Sequence, residues 1–288
     1  MSAAGDVTDR RLPLGVCIRS IRATPDWWLE SARRLDEAGF AGVWSWDHFI
    51  GQGSDRAVPV VESWTILSLA AAQTEHVTVG TFVMNVMNRH PALVARMAST
   101  LQIATGGRVV LGIGIGGAPK EHAAYGMDFP DASERVERLE EAIAVIRALW
   151  TGGPVTRDSA FYPLRDAVAH PVPDPPPKII VGGETRPGAE LAARIGDGWS
   201  TFEDNFEENM PVYLEALDAA GRRRDDQTLI VGFQGEWTKD ASSVIDSPWV
   251  SAPRDTWERW REAGADGAVV TARSTEDVDA LVASVARW

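Results

Sequence analysis

Two neighbouring side chains in the stretch Val43-Trp44-Ser45-Trp46-Asp47-His48-Phe49 suit acid-base work. An imidazole gives or takes a proton near neutral pH, or donates a hydrogen bond to a ligand heteroatom. A carboxylate beside it can orient the ring and raise its basicity, which makes His48 and Asp47 the candidate catalytic pair. The residues before them read as an apolar strand that ends on the pair. A plainer reading stands next to this one, a packed histidine beside a turn-capping aspartate.

Other stretches carry weaker chemistry. Gly182-Gly183-Glu184-Thr185-Arg186-Pro187 places two glycines and a polar residue before a first-turn proline, the pattern of a backbone anion cradle. Gly112-Ile113-Gly114-Ile115-Gly116-Gly117 matches the dinucleotide fingerprint in form only. It follows a fourth strand, and Ala118-Pro119 come next where that fold needs a helix to open. Those glycines instead mark a close approach of backbone to something bulky. Glu121-His122 either lines a pocket or starts a helix. His90, beside Pro91, reads as structural, and His76 and His170 as surface residues. No metal site is expected: the histidines are scattered and Cys17 is the single cysteine. No G-x-S-x-G element points to a hydrolase.

These residues need a scaffold, and the hydrophobic pattern supplies one. Short apolar runs at 12–18, 42–46, 77–83, 109–115, 179–181, 198–201, 229–233 and 268–270 alternate with helical periodicity. The helices fall at 25–38, 61–73, 91–104, 132–150, 187–195, 207–220, 254–263 and 275–286. Residues 116–131 read as a long Gly- and Pro-rich loop. Residues 151–177, rich in proline, form an excursion with a short hairpin between the fourth helix and the fifth strand. Eight uninterrupted strand-helix units imply parallel strands with helical crossovers. Over this length they imply an α/β fold, a single closed (β/α)8 TIM barrel spanning 12–288, after a flexible N-terminus at 1–11. In such a barrel the strand C-termini form the working mouth, and Asp47-His48 lies there.

Composition narrows the partners. The chain has 288 residues, 28 Lys+Arg against 41 Asp+Glu, and a net charge of −13. That sign disfavours nucleic-acid binding, which needs basic surface to displace counterions. No apolar run approaches membrane-spanning length, and the start of the sequence has no signal-peptide pattern. With one cysteine, a cytoplasmic location is expected. Arg222-Arg223-Arg224, beside Gly221, reads as a solvated helix terminus.

The chain also resembles a known family. Glu37-Ala38-Gly39-Phe40-Ala41-Gly42-Val43-Trp44, Asp47-His48-Phe49, Asn88-Arg89-His90-Pro91 and Gly106-Gly107-Arg108-Val109-Val110-Leu111-Gly112-Ile113-Gly114 carry the likeness. So do Glu121-His122-x-x-Tyr125-Gly126, Glu134-Arg135-x-x-Arg138-Leu139-Glu140-Glu141, Leu149-Trp150-Thr151-Gly152 and Val181-Gly182-Gly183. In this order they resemble the luciferase-like monooxygenase superfamily, within it the branch of flavin- or coenzyme F420-dependent oxidoreductases. The resemblance implies a cofactor ring at the strand C-termini, with His48 beside it. It implies a non-proline cis peptide at Phe82-Val83 against the other face. Asn85 and Gly114-Ile115-Gly116 would line ring and ribityl chain, and Gly182, Gly183 and Thr185 would take the phosphate. Some F420-dependent dehydrogenases carry a glutamate where this chain has Gly117, with Glu121 four residues on. The leading expectation is hydride transfer between coenzyme F420 and an organic small molecule. A reduced-FMN monooxygenase and a non-catalytic flavin-binding protein are the alternatives. A homodimer is a further possibility.

Overall fold

Capping side chains fix where the chain turns from strand to helix. Thr24 accepts from the Trp27 N–H ahead of α1 (Pro25–Glu37). Glu62 accepts from Trp64 and Thr65 ahead of α2 (Ser63–Gln73). The His90 ring accepts from Ala92 ahead of α3 (Pro91–Ala104), where Pro91 needs no donor. The computed structural model describes residues 11–51, 56–235 and 244–288. The expected flexible segment therefore lies outside the described residues except for Arg11, which donates to Asp36 and to the Phe40 carbonyl.

The remaining strands and helices follow the expected alternation. The strands are β1 (Leu14–Ile18), β2 (Gly42–Ser45), β3 (Thr78–Thr81), β4 (Met84–Asn85) and β5 (Val109–Gly114). After α4 (Pro119–Tyr125) and α5 (Ala132–Leu149) comes an antiparallel hairpin of β6 (Val155–Arg157) and β7 (Leu164–Ala167). The chain then returns through β8 (Lys178–Gly182), α6 (Arg186–Ile195), β9 (Gly198–Phe202), α7 (Glu203–Ala219) and β10 (Thr228–Phe233). It ends with α8 (Pro248–Ser251), α9 (Pro253–Glu262), β11 (Gly267–Ala272) and α10 (Thr275–Ser284). Eight strands pair in parallel in the order β3-β2-β1-β11-β10-β9-β8-β5, and a β3–β5 pairing closes the ring. This is the expected (β/α)8 barrel.

The structure departs from the pattern in four places. The loop at 116–131 contains α4, opened by Pro119 and closed by Gly126 in the left-handed conformation. The third strand is split into β3 and β4 around a cis peptide at Phe82-Val83. Helix α7 starts four residues early, because Glu203 and Asp204 place negative charge on its first turn. The short α8 precedes α9. Arg222 is no solvated cap: it donates to the Ala193 and Gly196 carbonyls at the end of α6.

Alternation along the strands separates two cores. Leu14, Val16 and Ile18 face the helices, while Cys17, Trp44, Trp46, Ile180, Ile230 and Val269 pack inside the barrel. Trp44 fits because β1 and β3 have glycine against it. A Cβ added at Gly15 or Gly80 would come within 2.6 Å of its indole. Met84 and Trp64 pack with the outer core. Among the described residues, no helix is long and apolar enough to cross a membrane.

Candidate active site

Asp47 and His48 separate as soon as β2 ends. The Asp47 carboxylate turns into the protein and accepts from the Asn85 N–H at 3.0 Å and Asn88 Nδ2 at 2.9 Å. Arg89 meets it with both terminal nitrogens, each at 2.9 Å, and also pairs with Glu62. Burial works against the Arg89 charge, but Asp47 and Glu62 outweigh it and raise the Arg89 pKa. A buried carboxylate with a bidentate arginine and two further donors is a clamp. It ties the end of β2 to the turn after β4 and to the start of α2.

Glu121, and not the neighbouring Asp47, is the carboxylate that orients His48. His48 Nδ1 lies 2.8 Å from Glu121 Oε1, and Glu121 Oε2 accepts the Phe49 N–H at 3.1 Å. Glu121 is 5 % exposed, so its charge is held by these contacts and not by bulk water. A carboxylate at Nδ1 requires a proton there in the neutral ring, which leaves Nε2 as the basic nitrogen. Glu121 belongs to α4, the helix hidden in the loop. Its neighbour His122 is fully buried, gives Nδ1–H to the Ala118 carbonyl and packs on Phe129. Arg135 lies over the Phe129 ring and donates to the Ile115 carbonyl at 3.1 Å. The motif residues Glu121, His122 and Arg135 therefore organise one loop that delivers a carboxylate to His48.

The glycines around the mouth make room for protein side chains. Cβ atoms added at Gly112, Gly114 and Gly182 would lie 3.3, 3.1 and 2.9 Å from the Val83 methyls. One added at Gly116, whose φ is +76°, would come within 2.2 Å of the Asn85 side chain. Val83 and Asn85 thus fill the approach that the sequence left for a ligand, and their own outer surfaces face whatever enters. Beside them Phe82 meets Trp44 and Phe202 edge to face at 6.0 and 6.2 Å, forming an aromatic floor. A Cβ at Gly117, where an acid was expected in some relatives, meets nothing within 4 Å.

The anion cradle is narrower than its sequence suggested. The Gly183 N–H is used by the Ser200 carbonyl at 3.0 Å, and its own carbonyl accepts from Trp199. A Cβ there would strike the Gly188 backbone at 2.7 Å, so this glycine serves strand-helix packing. Thr185 caps α6 by position, yet its hydroxyl makes no cap hydrogen bond and is exposed. The first-turn N–H groups of α6 and the Thr185 hydroxyl are what an anion would meet.

A (β/α)8 barrel hosts many chemistries, so the comparison with known proteins decides its kinship. Residues 15–279 match the family described as luciferase-like monooxygenase. The chain belongs to that family. Among curated luciferase-like relatives, it is 32 % identical over 236 residues to an F420-dependent glucose-6-phosphate dehydrogenase of Microbacterium testaceum, covering 80 % of this chain and 69 % of that protein. It is 37 % identical over 200 residues to the enzyme of the same name from Beutenbergia cavernae, covering 67 % of this chain and 57 % of that one. In fold it is similar to an F420-dependent secondary alcohol dehydrogenase solved with an F420-acetone adduct, with a TM-score of 0.82 and 21 % identity over 96 % of this chain and 98 % of that one.

Proposed function

We propose that this luciferase-like protein is a coenzyme F420-dependent oxidoreductase that transfers a hydride between the cofactor and an organic small molecule. The observation that carries the reading is the His48–Glu121 pair beside the aromatic floor of the barrel mouth. The F420-dependent dehydrogenases among its relatives support it. When bound, F420 supplies C5 of its deazaflavin as hydride acceptor or donor. The residues fit such a group. The α6 first turn and the uncapped Thr185 hydroxyl suit its phosphate, while Phe82, Val83 and Asn85 offer surface to a flat ring. Gly114, Gly116 and Gly182 leave the room that those side chains fill, and the Ile115 carbonyl between them is held by Arg135.

His48 takes the hydroxyl proton of a substrate alcohol onto Nε2 while the hydride leaves the carbinol carbon. Nδ1–H stays on Glu121, whose carboxylate stabilises the imidazolium. In the reverse direction Nε2 returns that proton to the carbonyl oxygen. Glu121 so takes the place of the acid missing at Gly117, acting through the histidine. A general base of this kind contributes about 10²–10⁴-fold to rate. The finer partner reading, a homodimer, rests on the outer faces of α2 and α3, where Leu69, Leu93 and Ile103 stand exposed.

The test is an anaerobic assay of the purified protein with oxidised F420 against secondary alcohols and glucose 6-phosphate. The expected result is bleaching of the deazaflavin absorbance without oxygen. Oxygen consumption that requires reduced FMN, with no F420 bleaching, would overturn the proposal.

A further inference from the structure

We propose that the face of the barrel opposite the mouth holds a second ligand site, a cavity for one neutral six-membered aromatic ring that carries a hydrogen-bond acceptor. The site is independent of the chemistry at the mouth, and it starts from register. Cys17 on β1 and Trp44 on β2 are paired and pack inside the barrel. Strand alternation brings Gly15 and Gly42, two residues earlier and also paired, to the same inner face. On β11, Gly267 stands two residues before the inward Val269. A (β/α)8 barrel ordinarily fills its interior with layers of side chains. Three adjacent strands of this one, β2, β1 and β11, offer only glycine at those positions.

The gap is a cavity of about 150 Å³ walled by Trp44, Ile180, Ile230 and Val269. An apolar cavity of that size accepts a benzene ring. A Cβ added at Gly267 would meet nothing closer than the Pro13 carbonyl at 3.9 Å, so the space reaches the strand backbone. Charge stays at the rim, where the exposed Lys178 donates to the Thr228 hydroxyl at 2.8 Å. The walls themselves are apolar, which selects a neutral ring.

One polar atom is turned toward this space. Trp44 is 5 % exposed, and its indole N–H makes no hydrogen bond among the described residues. Cβ atoms added at Gly15 and Gly42 would fall 2.6 and 3.1 Å from Trp44 Nε1. The N–H therefore points to the strand starts and the glycine gap, away from the mouth. A buried indole N–H ordinarily finds a partner, and leaving it without one is costly. A ring nitrogen or a ring-borne oxygen in the cavity supplies that acceptor while the apolar walls take the ring.

Pyridine and benzene share a shape and differ by that acceptor. The test titrates each, in mildly alkaline buffer where pyridine is neutral, into protein with isotope-labelled tryptophan and follows the indole N–H signals by NMR. Trp44→Phe identifies the Trp44 signal by its loss. Pyridine is expected to shift that signal saturably and to show cross-relaxation between its ring protons and the Trp44 N–H. Gly267→Leu, which fills the cavity, should weaken both probes there by about tenfold or more. Gly267→Val gives the same direction if the leucine variant folds poorly. In Trp44→Phe, the ratio of pyridine to benzene affinity, read from the part of the binding that the Gly267 variants remove, should fall by about fivefold or more. No saturable shift, a shift that the Gly267 variants leave unchanged, or an unchanged ratio in Trp44→Phe would overturn the proposal. So would uptake that appears only after deletion of residues 1–10, which assigns the cavity to the chain's own N-terminal segment.

Discussion

Glu121 sets what His48 can do, and its removal separates binding from chemistry. Glu121→Gln keeps a hydrogen-bond partner at Nδ1 but no charge. We expect kcat to fall about 10–100-fold, with F420 affinity nearly unchanged. His48→Ala should lower kcat at least as far and weaken F420 as well. Steady-state kinetics with parallel cofactor titrations check both, and unchanged turnover in either variant contradicts the assignment. Asp47-His48 is legible in the sequence because an acid and an imidazole close an apolar strand. Their division of labour is not, because the true partner of His48 lies 73 residues away. Nothing local distinguishes Glu121 from a helix-starting charge, and Arg89, which claims Asp47, looks like any polar residue before a proline.

The barrel elements meet at contacts that fix the mouth and the base. Gly182 on β8 gives its space to Val83, so Gly182→Ala should destabilise by about 1–3 kcal/mol. In a Val83→Ala background the same change should cost much less, and denaturant unfolding of the cycle measures the difference. Additive losses would show that the two do not share that space. At the other end, Asp36 in α1 accepts from the Glu75, His76 and Val77 N–H groups at 2.8, 3.1 and 2.8 Å, which anchors the entry to β3. Burial raises the Asp36 pKa, but those N–H groups and Arg11 outweigh it, so the folded value lies below the unfolded one. The stabilisation is therefore present above the unfolded pKa of about 3.9 and lost as pH falls through the folded value. Asp36→Asn should cost about 1–3 kcal/mol at neutral pH and progressively less below about pH 4, read from urea unfolding across pH. The alternation of strands and helices is plain in the sequence because buried parallel strands are continuous apolar runs. Helix α4 is not, since seven residues between a proline and a glycine show under two turns of periodicity.

The closed ring brings β1, β2 and β11 to one side of the mouth and sets β8 across from β1. Its outer surface carries a different demand. Leu69 of α2 and Leu93 and Ile103 of α3 stand exposed, and an exposed apolar patch marks a surface for a partner. Light scattering should therefore return twice 31.3 kDa for the protein, and 31.3 kDa for Leu69→Glu with Leu93→Glu; a wild-type monomer contradicts the dimer. The cofactor itself is tested most directly by equilibrium fluorescence titration of the purified protein with F420 and with FMN. We predict low-micromolar or tighter binding of F420, with FMN weaker by roughly a hundredfold, about 2.7 kcal/mol. FMN binding as tight as or tighter than F420 would contradict the assignment.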